Sequence, residues 1–309
     1  MDYIEFGKHK TKVSKIVLGL MRIPSLDNGE IANLLDAALD HGINIVDIAD
    51  CYSKGVAESK LGEVLKDKPS LKDKFFIQSK CGIRIGEKFT YYDFSKDYIL
   101  SCVEGSLKRM NVDHLDSLLL HRPDALMEAD EVAEAFNILK EQGKVLNFGV
   151  SNMNPQQIEY LSCALDQEIC ANQVQLSICH TPMLDAQFNV NMTNSHAIMR
   201  EGGILEYCKM KKIIVQAWSV MQYGFFEGVF IGSPKYPKLN EVLNTIAVQN
   251  GVSPTAVAIA FVLRIPNQMQ AVIGTTNINR VIESSKACDF EITKEQWYEL
   301  YLAAGNNLP

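Results

Sequence analysis

Eight short apolar runs recur along the chain, and each is followed by a longer segment with helical spacing or helical length. The runs are IVLGLM (16–21), NIVDI (44–48), FFIQSK (75–80), DSLLLH (116–121), VLNFGV (145–150), ANQVQLS (171–177), IIVQAWS (213–219) and AVIGT (271–275). Stretches such as EIANLLDAALDHG, DEVAEAFNILKEQG and NPQQIEYLSCAL lie between them. Asn154 followed by Pro155 reads as an N-cap and first helical residue, and Gly42 and Gly143 read as helix stops. Near-continuous apolar strands alternating with helices imply a parallel sheet covered on both faces. Eight such repeats predict closure into a (β/α)8 TIM barrel. The alternative is an open doubly wound sheet, but its GxGxxG turn is missing after the first strand, where the chain reads GLMRIPSLDNGE.

No linker-like stretch divides the 309 residues, so residues 1–309 are expected to form one domain. Three segments stand outside the repeat. Residues 1–12 read as a β-hairpin turning at Gly7-Lys8, suited to plugging the N-terminal mouth of the barrel. Residues 178–199 and 220–240 read as long loops on the C-terminal face, where barrel sites are built.

The net charge of −7 and the scattered basic residues argue against nucleic-acid or membrane partners. The N-terminal MDYIEFGKHKTKVSK lacks the apolar core of a signal peptide, and VAIAFVLRIP is interrupted by Arg264 and Pro266, so a cytoplasmic location is expected. The eight cysteines show no CxxC pair or clustered ligand spacing, which favours free thiols over disulfides or a metal site. Cys51 and Cys81 flank candidate site residues, yet nothing local in the sequence lowers a thiol pKa.

Ionisable residues end otherwise apolar strands. Asp47 lies in NIVDIADCY with Tyr52 five residues on, Lys80 ends FFIQSK and His121 ends DSLLLH. Three successive strands thereby deliver polar groups to one rim, and a buried Asp47 is expected to pair with Lys80. Each residue alone is more often structural or packing; four converging on one rim point to a site. Free tyrosine titrates near about 10, too high for proton transfer at neutrality. A lysine cation beside Tyr52 is expected to lower that value, with Asp47 holding the cation and His121 orienting a carbonyl oxygen. Such a set can protonate an oxygen as hydride reaches its carbon.

These residues carry a resemblance. GINIVDIADCYS resembles the aldo-keto reductase motif G-x-x-x-x-D-T-A-x-x-Y-G, and LLLHRPD resembles the L-x-x-x-H-x-P-D segment of that family. FGVSN, ANQVQLS and VIGTTNINRVIES match three cofactor-side segments in order, so the resemblance spans about residues 14 to 300. It is nearest the bacterial branch in which Arg-Pro-Asp follows the histidine. It implies a catalytic tetrad of Asp47, Tyr52, Lys80 and His121, a nicotinamide cofactor and no metal. It assigns Ser151, Asn152 and Gln173 to the carboxamide, and Trp218, followed by Ser219, to the nicotinamide ring. Gly274, Thr275 and Thr276 are assigned to the adenosine phosphate, and Arg280 and Glu283 to the adenine end. Helix amides near Asn277 would face the 2′-phosphate.

Ile48 and Ser53 replace the usual Thr and Gly of the first motif. Gly274 stands where many relatives have lysine, and Ser284 where many have asparagine. Arg280 keeps a guanidinium suited to phosphate, so NADPH is expected rather than NADH. The expected activity is reduction of a small-molecule aldehyde or ketone by a monomer, with Tyr52 as proton donor. Its rivals are a cofactor-binding regulatory module with little turnover and a barrel aldolase forming a Schiff base at Lys80. Met21, Arg22, Tyr91, Tyr92, Phe225 and Phe226 are candidate lining residues that do not single out a substrate.

Overall fold

The computed structural model describes residues 1–86 and 89–306. Eight parallel strands close into a barrel: β1 (Ile16–Gly19), β2 (Ile45–Asp47), β3 (Phe76–Cys81), β4 (Leu115–Leu120), β5 (Val145–Ser151), β6 (Ile169–Gln175), β7 (Ile214–Trp218) and β8 (Met269–Ile273). β8 pairs with β1 through Ala271, Val272 and Ile273, which closes the ring and excludes the open sheet. Helices including Asn28–Asp40, Val56–Asp67, Lys96–Met110 and Ala129–Glu141 cover the outside. The expected stops hold: Gly42 and Gly143 take positive φ, and Asn154 and Gln157 form a capping box ahead of Pro155–Ser162.

The N-terminal hairpin pairs Tyr3–Phe6 with Thr11–Ser14. Its turn runs over Gly7–Lys10, closed by a hydrogen bond from the Lys10 amide to the Gly7 carbonyl. Gly7 sits at φ +66° against Asn147 of β5, where a Cβ would overlap the Asn147 side chain. Phe6 enters the mouth and packs against Phe76, the ring centroids 4.8 Å apart and the planes tilted by 52°. There it joins Val17, Ile45, Leu119, Ala171, Ile214 and Val272 in an apolar layer across the barrel floor.

The two long loops carry structure that alternation of apolar residues does not announce. Pro182–Phe188 is a short helix, and Gln222–Tyr223 pairs with Gly228–Val229. A further hairpin, Ile83–Ile85 with Thr90–Tyr92, follows β3. Among the described residues no single helix is long and apolar enough to cross a membrane, and no group of His, Cys, Asp or Glu is arranged to hold a metal ion.

Candidate active site

The apolar floor sets the parity of seven of the eight barrel strands, all but β5. Side chains alternate sides along a strand, so residues two and four beyond a floor residue also point inward, one layer higher each time. Asp47 lies two beyond Ile45, His121 two beyond Leu119, and Gln173 two beyond Ala171. Lys80 lies four beyond Phe76, and Trp218 four beyond Ile214. The same count places Gln78 and Gln216 inward, with Gln270 preceding Val272 on that face.

Lys80 has no solvent exposure. Its Nζ donates to Asp47 Oδ2 at 2.7 Å, to the Ile48 carbonyl at 2.8 Å and to Tyr52 Oη at 3.2 Å. Burial would favour neutral Lys80, but the charges and acceptors of Asp47 and Tyr52 outweigh it and push its pKa up. A lysine held as the ammonium is no nucleophile, which removes the basis for the Schiff-base aldolase.

Tyr52 corrects one expectation. Burial raises its pKa, the Lys80 charge pulls it down and the Asp47 charge pushes it up, with a net rise above the ordinary 10.0. Lys80 therefore does not produce a phenolate here, because its own counter-charge and desolvation offset it. Tyr52 stays a phenol, the form that can donate. The turn after it places Ser53 and Lys54 at φ 49° and 57°. This left-handed conformation gives a physical reason for glycine at the first of these positions in the motif.

His121 follows β4, with its amide held by the Cys81 carbonyl at 2.9 Å. Its ring meets Tyr52 edge-on at 5.7 Å, and Cys51 Sγ lies 3.6 Å from its Nδ1. Burial, then the charges of Lys80 and Arg122, hold its pKa well below the usual value, so the imidazole is neutral. Burial also pushes the Cys51 thiol up to about 12, and Cys81 is raised by the same cause, so neither is a ready thiolate.

The strand motifs do not announce the layer beneath the tetrad. Asp47 Oδ1 accepts from Gln78 Nε2 at 2.7 Å and Gln173 Nε2 at 3.0 Å. Gln216 Oε1 accepts from the same two amides at 2.8 and 3.1 Å, while its Nε2 donates to Gln78 and Gln270. Gln270 Nε2 donates in turn to the Ser14 carbonyl of the hairpin at 2.8 Å. A chain of amides thereby joins the plug to Asp47. Its sequence signal is a glutamine at an inward position in each of FFIQSK, ANQVQLS, IIVQAWS and MQAVIGT.

Ser151, Asn152, Gln173 and Trp218 are brought together. Ser151 Oγ donates to the Gln173 carbonyl at 2.8 Å, Asn152 Nδ2 donates to Ser151 Oγ at 2.8 Å, and Trp218 Nε1 donates to Asn152 Oδ1 at 3.2 Å. Phe226 stacks on Trp218 at 5.9 Å, and the Arg122 guanidinium lies 5.5 Å over its ring. Ser219 Oγ donates to Gln222 Oε1 at 2.7 Å.

Gly274, Thr275 and Thr276 lead from β8 into the helix Ile278–Ser285, with Arg280 exposed on its first turn and Glu283 half-buried. The expected amide cradle is partly occupied: Thr275 Oγ1 accepts from the Asn277 amide, and Asn277 Oδ1 from the Arg280 amide. Ser284 is buried and bonds back to the Arg280 carbonyl. Arg22 has a place the sequence did not show. Its Nη1 donates to the Gly274 carbonyl at 2.9 Å, and a Cβ on Gly274 would stand 2.7 Å from that nitrogen. A guanidinium from the loop after β1 thus covers the position where many relatives have lysine.

A buried lysine thus joins a carboxylate to a phenol, with a neutral imidazole edge-on to that phenol, at the C-terminal mouth of the barrel. The Aldo/keto reductase family model matches residues 15–301, and the chain belongs to that family. It is 34% identical over 305 residues to the 6-dehydroglucose reductase of Agrobacterium fabrum, covering 96% of this chain and 95% of that one. It is also 34% identical over 304 residues to oxidoreductase YdhF of Escherichia coli, with the same coverage. Among solved structures, a Klebsiella pneumoniae aldo-keto reductase in complex with NADPH superposes with TM-score 0.77 at 22% identity, covering 99% of this chain and 96% of that one. That likeness establishes the barrel.

Proposed function

We propose that this protein reduces a small aldehyde or ketone with NADPH, Tyr52 being the proton donor. The observation that carries the reading is the Lys80 ammonium, hydrogen-bonded at once to Asp47 and Tyr52 at the open end of the barrel. NADPH, when bound, supplies the hydride. Ser151, Asn152 and Gln173 offer the donors and acceptors a carboxamide needs. Trp218 offers a ring to stack on, for which Phe226 and Arg122 now compete. Arg22 and Arg280 flank the Gly274–Asn277 turn with positive charge suited to phosphate.

In this scheme His121 and Tyr52 converge on the carbonyl oxygen. As that oxygen gains charge, the Tyr52 proton moves to it, and Lys80 stabilises the phenolate left behind. Asp47 keeps Lys80 charged and aimed. The two relatives named 6-dehydroglucose reductase, at 34% and 31% identity, support a hydroxylated sugar-like aldehyde as the substrate class.

Fluorescence titration with NADPH and NADH, followed by steady-state assays on hydroxyaldehydes, tests the proposal. Saturable quenching that is tighter with NADPH is expected. Tyr52→Phe should retain it while losing about 10²- to 10⁴-fold in kcat. No quenching by either nucleotide, or near-normal turnover in Tyr52→Phe, overturns the reading. A protein that binds NADPH tightly and reduces nothing would fit a regulatory role. Channel-subunit relatives keep that reading in view: a probable voltage-gated potassium channel subunit beta from rice is 26% identical over 94% of this chain.

A further inference from the structure

His121 has two ring nitrogens, and the proposed reduction needs only one of them to donate. A neutral imidazole carries one proton, so whichever nitrogen holds it sets what the ring can do for a carbonyl oxygen. Among the described residues, Nδ1 has a single side-chain partner, Cys51 Sγ at 3.6 Å, and Nε2 has none. Cys51 stands directly before Tyr52 in the turn after β2, so one short segment supplies both the proton donor and this contact.

We infer that Cys51 is a positioning residue: its S–H donates to Nδ1 of His121 and thereby keeps the ring proton on Nε2, facing the substrate oxygen. The inference rests on the reductase reading for its purpose, but not for its geometry.

Three features argue for this direction of the hydrogen bond. The thiol is protonated throughout the neutral range, since burial, then the neighbouring Asp50 charge, push it up to about 12. It therefore always has a proton to give. An imidazole nitrogen lone pair is a far better acceptor than a thiol sulfur, so the N–H···S alternative exchanges a good acceptor for a poor one. The charged groups around the ring also favour a neutral imidazole: Lys80 and Arg122 both oppose a second ring proton. A protonated ring would have donors on both nitrogens and no need of Cys51. The edge-on Tyr52 ring at 5.7 Å limits how far the imidazole can tilt. A half-turn about the Cβ–Cγ bond would put Cδ2 in place of Nδ1 and Cε1 in place of Nε2, and the thiol contact to Nδ1 opposes that as well.

The test is the ¹⁵N spectrum of His121 in protein labelled at histidine, with His121→Gln to assign the signals, alongside kinetics of Cys51→Ser and Cys51→Ala. Cys51 is only half-buried, so both small side chains can be accommodated. The native protein is expected to show one neutral tautomer, protonated at Nε2. Cys51→Ser keeps a donor and should keep that tautomer. Cys51→Ala should admit the Nδ1–H form and lower kcat about tenfold, with NADPH binding unchanged. A native His121 protonated on Nδ1 overturns the inference. So does a Cys51→Ala protein whose tautomer is unaltered, whatever its kcat. The spectrum needs no turnover, so failure of the reductase reading would show separately, as absence of carbonyl reduction with the tautomer intact.

Discussion

Replacing Asp50 with asparagine should stabilise the protein near neutrality and do nothing in acid. Asp50 lies between the site residues Asp47 and Tyr52, and its Oδ1 is buried with no hydrogen-bond partner. Burial, opposed by the Cys102 thiol and reinforced by the nearby Glu58 charge, moves its pKa from 3.8 up to about 6. The folded value thus lies above the unfolded one. Between the two, the native state holds a proton that the unfolded state has released, so stability falls as pH rises through that window. At about 1.36 kcal/mol per pH unit, ionising Asp50 in the fold costs up to about 3 kcal/mol above pH 6. Asparagine keeps the shape and removes the charge. Urea unfolding of both proteins should therefore show Asp50→Asn more stable by about 2–3 kcal/mol at pH 8, with the gap closing toward zero by pH 4. Carboxylates remote from Asp50 contribute equally in both proteins and cancel in the difference. A gap of the same size at both pH values, or a less stable variant at pH 8, would refute the argument that a desolvated charge is the cause.

Two further outcomes follow from packing and pairing. Lys80→Met leaves Asp47 buried with two amide donors and no cation, and should cost about 3–5 kcal/mol in denaturant unfolding. Adding Asp47→Asn should restore most of that stability but none of the turnover; a double variant as unstable as the single would deny the pairing its role. Gly62→Ala places a methyl group onto the Arg109 carbonyl where the helices Val56–Asp67 and Lys96–Met110 touch. It should cost about 1–3 kcal/mol by overpacking, read as a lower unfolding midpoint, whereas an unchanged midpoint would mean that the helices can part freely.

The barrel could be read from the chain because each of its strands is a short apolar run bounded by helix signals. Strand ends then pointed to residues that the fold brings together, since Asp47, Lys80 and His121 break those runs at one rim of the barrel. What escaped was structure without that signature. The hairpin Ile83–Ile85 with Thr90–Tyr92 has three-residue strands and no Asn-Gly or Asp-Gly turn, and Pro182–Phe188 is only seven residues long. The net direction of the Tyr52 shift escaped for another reason. It is a balance of burial, Lys80 and Asp47, and residue identity conveys the charges but not the desolvation. The cover that Arg22 forms over Gly274 joins residues 252 positions apart, which no local pattern could show.

The glutamine layer explains how a barrel can hold a carboxylate so deep. Asp47 is 3% exposed, and one ammonium on Oδ2 would leave Oδ1 stranded in a dry interior. Gln78 and Gln173 meet that oxygen, but each brings a polar amide that itself needs partners. Gln216 serves both, Gln270 serves Gln216, and the sequence of donors ends only at a backbone carbonyl of the plug. Replacing any one of these amides by an apolar side chain would leave a neighbour unsatisfied at about 1–3 kcal/mol. The interior is therefore polar as a unit. It holds Asp47, and through it Lys80 and Tyr52, from four strands and the hairpin together, so the aim of the Tyr52 hydroxyl is fixed as much from the barrel floor as from the loops around it.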